Sequence, residues 1–357
     1  MNVLTQHLIA APHAHGGGSV TRAMVQVQLA LMPATLFAFW LYGWPAFFVW
    51  LSCVGACLAC EALCLCLAGR PVLPALGDGS AALTGWLLAL SLPPWSPWWV
   101  PVVGAAIAIV VAKQVFGGLG QNVFNPAMVA RVALLVSFPL PLTQWVAPLA
   151  TSPGLLESLY GFLSAAPLPD AMASASLLGH SKTELARGVE LTQALAASAA
   201  PATSWAGVRA GSLGESATLL LALGGLYLLA VRVIRWPIPV AVLAGLALPA
   251  AIGHAVDPAR YLDATTHLLS GAAVLGAFFI ATDYVTSPNT TSGQLLFAAG
   301  IGLLTWVIRT WGGYPEGMAF AVLLMNALTP VIDRWCKPRI LGRDRRGQAL
   351  ATQGGEA

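Results

Sequence analysis

Seven charged side chains fall inside or at the edges of long apolar stretches: Glu61, Asp78, Lys113, Arg131, Asp283, Arg309 and Glu316. Ionisable groups in such surroundings are costly, and they mark ion or proton pathways unless they are structural pairs or sit at headgroup level. Asp78 and Asp283 flank two short apolar segments, and Glu316 lies beside a Gly-Gly-Tyr-Pro break. A moving cation or proton would need an acceptor at such places, so Asp78 and Asp283 are the candidate ion-path residues. For Glu61 a structural pair is the plainer reading. Asn122, Asn125 and Asn326 suit capping of broken helices or bonding of backbone across helices.

Other reactive types point elsewhere. Cys53, Cys57, Cys60 and Cys64 follow helical spacing on one face of one apolar segment. That spacing does not meet disulfide geometry without distorting the helix, and small polarizable side chains suit a helix–helix contact. His13 and His15, beside three glycines, form a weak metal signal that reads as a surface tail; no metal site is expected. His180, His254 and His267 are isolated. No GxGxxG, P-loop, HExxH or paired CxxC motif occurs.

The elements that must carry these residues follow from composition. Of 357 residues, 57% are hydrophobic and only 9% charged, whereas soluble domains run at about 25% charged. A hydrocarbon core about 30 Å thick needs roughly 20 apolar residues in a helix. Residues 23–42, 45–67, 95–111, 128–142, 217–231, 237–252, 294–307 and 317–331 approach or meet that length, and 81–92 and 268–281 are shorter. The pattern predicts an all-α integral membrane protein of about ten transmembrane helices, and it excludes a soluble enzyme. No cleavable signal peptide is expected, because the first apolar block starts after Arg22 and is followed directly by more spans.

Charge placement orients the chain. Arg334, Lys337, Arg339, Arg343, Arg345 and Arg346 follow the last apolar block, so that tail is expected in the cytoplasm. Nothing aromatic or folded accompanies it, so nucleic-acid binding is not expected. An even number of spans places the N-terminus inside too, and Arg22, Arg70, Lys113, Arg232 and Arg235 fall at inner ends. The expected organisation is a cytoplasmic arm 1–21, a first membrane repeat 22–146, an extracytoplasmic insert 147–215, a second repeat 216–332 and a cytoplasmic basic tail 333–357.

The halves carry a weak repeat. Ser80–Ser91 reads SAALTGWLLALS and 271–282 reads GAAVLGAFFIAT; Gly117-Gly118 leads to Asn125-Pro126 as Gly312-Gly313 leads to Pro315-Glu316. An odd number of spans per half inverts one half relative to the other. Short segments interrupted by Gly and Pro at matching positions of inverted halves point to a midplane site. The expectation is two inverted five-helix repeats with interrupted half-helices at 80–94 and 271–290.

Several long motifs resemble a known family. They are Lys113-Gln-Val-Phe-Gly-Gly-Leu-Gly-Gln-Asn-Val-Phe-Asn-Pro-Ala-Met128, Ser91-Leu-Pro-Pro94, Ala281-Thr-Asp-Tyr-Val-Thr-Ser-Pro288, and the stretch from Arg309 through Tyr-Pro-Glu316-Gly-Met to Asn326, together with Pro12-His13. Across the whole chain they resemble the D subunits of Rnf-type electron transport complexes, a family shared with the B subunits of sodium-translocating NADH:quinone reductases. The resemblance implies a bacterial inner-membrane subunit, inactive alone, of a complex passing electrons between ferredoxin and NAD while Na⁺ or H⁺ moves. It implies FMN joined by a phosphoester to a hydroxyl in the outer insert, installed by a flavin transferase, and allows a non-covalent riboflavin. The family pattern maps onto Asp170-Ala-Met-Ala-Ser-Ala-Ser176, so Ser176 is the expected attachment residue, within a motif that includes Asp170, Ser174 and Ala175. The usual Thr is Ser176 here, the Gly two residues earlier is Ser174, and the Ser before that is Ala173. Serine retains a hydroxyl for the phosphoester; Ser174 is the fallback acceptor. Taken alone, Ala-Ser-Ala-Ser reads as plain loop.

Two other functions compete. Inverted repeats with broken helices also describe stand-alone solute channels of the urea-transporter kind, which would not need the insert. A flavin-free structural subunit would follow if the altered motif had lost its cofactor.

Overall fold

The computed structural model describes residues 19–148, 153–167, 173–197 and 209–338. Asp170, His13, His15 and most of the basic tail lie outside them. Along the chain the described elements are α1 (Val20–Tyr42), α2 (Trp44–Leu67), α3 (Val72–Leu76), α4 (Ser80–Ser91), α5 (Trp99–Ala106, continued as a π-helix over Ile107–Gln114), α6 (Pro126–Ser137) and α7 (Pro139–Thr143). The insert contributes β1 (Trp145–Val146), α8 (Leu155–Ser164), β2 (Ala173–Ser174), α9 (Leu177–Ala186) and α10 (Leu191–Ala197). Then follow α11 (Thr218–Ala230), α12 (Pro237–Val256), α13 (Ala264–Leu269), α14 (Ala273–Leu275, continued as a π-helix over Gly276–Ile280), α15 (Thr291–Trp311) and α16 (Met318–Trp335).

The protein is mostly helical, and five helices, α1, α2, α12, α15 and α16, are long and apolar enough to cross a membrane. Shorter apolar helices cover Ser80–Ser91, Trp99–Gln114, Pro126–Ser137 and Glu215–Ala230. Two expected blocks are cut short. The helix expected over 128–142 ends at Ser137, because Pro139 cannot continue it. The block expected over 268–281 is interrupted at Ser270–Ala272, where Gly271 adopts φ +65° between α13 and α14.

Small residues set the packing. On α2 the buried face runs through Val49, Cys53, Cys57, Glu61 and Leu65, a repeat of four that makes one stripe. Cys53 and Cys57 are buried, Cys60 and Cys64 half-buried, and the thiols are free. Helix α4 lies on this stripe so closely that a Cβ at Gly85 would come 2.7 Å from the Cys53 carbonyl oxygen. Glycines make the same backbone approach for α12 on α15, where a Cβ at Gly302 would come 2.3 Å from the Val242 oxygen. They do so again for α11 on α1, where a Cβ at Gly224 would meet the Ala30 oxygen at 2.3 Å. Close approach of this kind is how helices associate where lipid removes the hydrophobic driving force.

The end of α4 has its backbone satisfied from far along the chain. Leu213 N–H donates to the Leu92 carbonyl at 3.1 Å and Gly214 N–H to the Leu90 carbonyl at 2.7 Å. Residues 209–218 are all buried, so the last part of the insert is folded among the apolar helices. Irregular backbone is tolerated at such depth only when protein or water supplies its hydrogen bonds.

Candidate functional site

Three groupings of polar side chains stand out. The first joins α2, α4 and the π-helix. Lys113 Nζ donates to Glu61 Oε2 at 2.9 Å and to Ser80 Oγ at 2.8 Å, while Gln114 Nε2 donates to Glu61 Oε1 at 2.7 Å. Lys113 is 2% exposed and Glu61 4%, so the two charges answer each other inside the protein. Asp78, next to α4, accepts the Ser80 backbone N–H at 2.7 Å.

Beside this pair lies a cavity of about 120 Å³. Ser80, Thr84, Leu83 and Leu87 of α4 form one wall, and Phe278, Phe279, Thr282 and Asp283 form another. Lys113, Asn122 and Asn125 complete its polar rim. The two short segments singled out from sequence therefore face one space. Their other ends meet around Gly214, where a Cβ would lie 3.0 Å from both Leu275 Cδ2 and the Leu90 oxygen. Asp283 lines the cavity and holds its own turn, accepting the Val285 N–H at 3.2 Å and the Thr286 hydroxyl at 3.3 Å. Asp78 is not on the cavity wall. Asn125 caps α6 by accepting the Met128 N–H at 3.3 Å, and its own N–H donates to Asn326 Oδ1 of α16 at 3.2 Å.

The second grouping closes the break between α13 and α14. Arg309 Nη2 donates to Glu316 Oε2 at 2.7 Å and to the Ser270 carbonyl at 2.9 Å, and Nη1 donates to the His267 carbonyl. Glu316 also accepts the Ala272 N–H at 3.1 Å, and caps α16 by accepting the Gly317 and Met318 N–H groups, each at 2.9 Å. Arg209 Nη1 donates to Ser270 Oγ at 2.7 Å, and Glu215 accepts the Ser212 hydroxyl at 2.9 Å. Arg131 is buried and feels the charges of Glu215 and Glu316, and its Nη1 has no hydrogen-bond partner among the described residues.

The third grouping is the insert. Strand β2 pairs antiparallel with β1, Ser174 opposite Trp145 and Ala173 opposite Val146. Ser174 and Ala175 are exposed, and Ser176 is 7% exposed. Ser176 is the N-cap of α9, and its Oγ accepts the Gly179 N–H at 3.2 Å. One turn on, His180 Nε2 and Ser181 Oγ are buried without partners among the described residues. Lys182 extends from the same helix to the end of α15. Its Nζ donates to the carbonyls of Ile308 at 3.2 Å, Arg309 at 3.2 Å and Tyr314 at 3.0 Å. Burial lowers its pKa from the ordinary lysine value.

The Ser176 position has the chemistry of an anion site. The hydroxyl stands at the start of a ten-residue helix, where free N–H groups and the helix dipole favour an anion. The unpartnered His180 and Ser181 atoms add polar capacity one turn away. The resemblance alone pointed to Ser176, whose cap role leaves no mark in Ala-Ser-Ala-Ser. Sequence reasoning did not pair Lys113 with Glu61, although Glu61 continues the four-residue stripe of Cys53 and Cys57. It missed Glu215 and the docking role of Lys182, because both sit in polar sequence with no periodicity to give depth.

The chain is 52% identical to the D subunit of the ion-translocating oxidoreductase complex of Halorhodospira halophila over 349 residues, covering 97% of this chain and 98% of that one. It is 52% identical to the D subunit of the same name from Stutzerimonas stutzeri over 336 residues, covering 93% and 95%. The counterpart from Escherichia fergusonii is 41% identical over 354 residues, covering 95% and 99%. Residues 7–342 match one family, so both short segments, both ion pairs and the insert fall within it, and the chain belongs to the NQR2, RnfD, RnfE family.

Proposed function

We propose that this chain is the D subunit of an ion-translocating oxidoreductase complex, carrying FMN as a phosphoester on Ser176. The observation that carries the reading is the position of the Ser176 hydroxyl at the N-terminus of α9, in a chain that aligns with such a D subunit over 97% of its length. Bound there, the flavin would supply electron transfer, relaying electrons between ferredoxin and NAD while Na⁺ or H⁺ crosses the membrane. The protein's part is to anchor and orient it and to set its surroundings. Because Ser176 is 7% exposed, the flavin transferase must act before α9 docks, or while it is undocked. Asp170 of the motif lies outside the described residues, and exposed Ser174 is the fallback acceptor.

The proposal extends to the architecture. Ten membrane segments in two inverted halves account for the matching neighbours: α2 packs on α4 and α5 as α12 packs on the π-helix after α14 and on α15. They also account for α1 against α11 and α6 against α16 across the molecule. Both termini would then lie in the cytoplasm of a bacterial cell and residues 147–215 on the outer face of its inner membrane, among the other subunits. Asp283, on the cavity wall, and Asp78, beside it, are the ion-path candidates. The cavity, at about 120 Å³, is smaller than the roughly 300–1,000 Å³ of ligand pockets, so the non-covalent riboflavin that the family resemblance allows is not placed there.

The test is in-gel fluorescence of the denatured chain after coexpression with its flavin transferase, with Ser176→Ala and Ser174→Ala alongside and mass spectrometry of the adduct peptide. A fluorescent band lost only in Ser176→Ala supports the reading. A dark band beside a flavinylated control protein would leave the solute channel or the flavin-free subunit, which solute flux into liposomes separates.

A further inference from the structure

We propose that Lys182 is the positioning residue that holds the Ser176-bearing helix α9 in register on the end of α15. This rests on the flavin reading for its functional consequence, while the docking itself stands on geometry alone. The last four carbonyls of any helix lack intrahelical partners, and a cation there also meets the negative end of the dipole. The Lys182 ammonium reaches the carbonyl of Arg309 in the last turn of α15, that of Ile308, which also accepts the Gly312 N–H at 2.9 Å, and that of Tyr314 just beyond the helix. Three acceptors match the three N–H donors of an ammonium. A neutral amine has only two, so the geometry selects the charged form.

Among the described residues, the Lys182 bonds are the charged link between α9 and α15. On the same side of α9, Gly179 has no side chain to meet Pro315, whose Cβ would lie 4.0 Å from a Cβ built there. Ahead of Ser176 the chain is held by the two-residue ladder of β1 and β2. Beyond α9 the next tether is Leu191 N–H to the Ala259 carbonyl at 2.9 Å. Between them, Lys182 is the charged anchor, six residues from Ser176 and so about 9 Å along the helix axis. Its acceptor Arg309 also binds Glu316 and Ser270 through its guanidinium. One residue thus joins the insert to the interrupted helix, and a group attached at Ser176 inherits a fixed place relative to that interior network.

The experiment uses the full chain in its assembled complex, with Lys182→Met and Lys182→Arg, each also in a Ser176→Ala background. Backbone hydrogen exchange of α9 reads docking without any flavin. Fluorescence anisotropy and the reduction midpoint of the Ser176 adduct read its positioning. Lys182→Met is expected to leave the covalent band intact and to speed α9 exchange about tenfold in both backgrounds, the loss of charge-assisted bonds to one helix end. It should also lower the anisotropy and shift the midpoint, with Lys182→Arg recovering most of each change because a guanidinium can still reach carbonyls. Unchanged exchange in Lys182→Met would overturn the docking role. Faster exchange with unchanged anisotropy and midpoint would overturn the positioning role and leave a plain structural tether. A dark band in the unmutated chain would sink the flavin reading instead, and the exchange result would still decide the docking.

Discussion

Removing Lys113 tests whether the buried pair beside the cavity is a structural unit. At an effective dielectric near 20, charges about 4 Å apart attract by about 4 kcal/mol. Deleting one partner of a buried pair costs about 3–5 kcal/mol, because the remaining charge is stranded. Lys113→Met would leave Glu61, 4% exposed, held by its bond from Gln114 and without a countercharge, and would strip the Ser80 hydroxyl of its donor. The expected loss is therefore about 3–5 kcal/mol. The double variant Lys113→Met with Glu61→Gln removes both charges, keeps an acceptor for Gln114, and should return to within about 1–2 kcal/mol of the native chain. Unfolding of the purified chain in mixed detergent micelles, with rising denaturing detergent followed by circular dichroism, measures all three differences. If the double variant is as unstable as Lys113→Met, the stranded-charge argument fails. If Lys113→Met is as stable as the native chain, the pair is not a structural unit at all.

Four further outcomes follow from the geometry. Gly85→Ala forces a Cβ to 2.7 Å from the Cys53 oxygen and 2.8 Å from Val54 Cα, which should cost about 1–3 kcal/mol, while Gly55→Ala, with nothing within 4 Å, should be neutral or gain up to about 1 kcal/mol; equal effects in the same unfolding assay would contradict the packing. Asn326→Leu strands the Asn125 N–H, while the Thr286 carbonyl keeps its bond from the Thr329 hydroxyl, and should cost about 1–3 kcal/mol, against about 1 kcal/mol for loss of the cap in Asn125→Ala. Burial works against the Asp263 carboxylate, but bonds from the Thr266 and Thr265 hydroxyls and the Thr266 N–H outweigh it and hold its pKa below the ordinary value. A depressed folded pKa adds stability above the unfolded pKa near 4, lost as pH falls through the folded value; Asp263→Asn should flatten that acid limb of a stability–pH curve, and an unaltered limb would refute the assignment. Asp283→Asn in an assembled complex should impair ion movement, and normal pumping would remove it from the ion path.

How much of the structure is legible in the sequence depends on what fixes each feature. Apolar block length marks membrane helices because the bilayer sets one length for all of them, so the blocks over 23–42, 45–67 and 237–252 reappear as α1, α2 and α12 within a few residues. Ends set by a single backbone event are harder. Pro139 stops α6 at Ser137, whereas hydropathy alone runs on through Leu140 and Leu142. Depth within the insert is not legible. Residues 209–218 carry Arg209, Ser212, Glu215 and Ser216 yet are buried, because they donate to the open end of α4 and answer one another, and polarity cannot distinguish a solvated loop from a satisfied interior.

The same limit explains why the candidate site divides as it does. A four-residue stripe on α2 could have linked Glu61 to Cys53 and Cys57, since period 3.6 is a property of one helix. Lys113 completes that site from 52 residues away, and no local pattern joins two helices. Ser176 and Lys182 differ again: they share one helix, but what gives them meaning is the end of α15, more than a hundred residues on. Motif likeness singled out the first of them, because a family motif is a stretch of side-chain identities. Among the described residues the hydrogen bonds of Lys182 go to backbone carbonyls, which every residue type presents alike, so its partners leave no trace in side-chain identity. A site assembled from a motif at one end and bare helix carbonyls at the other is half legible by construction, and the unreadable half is the one that fixes where the readable half points.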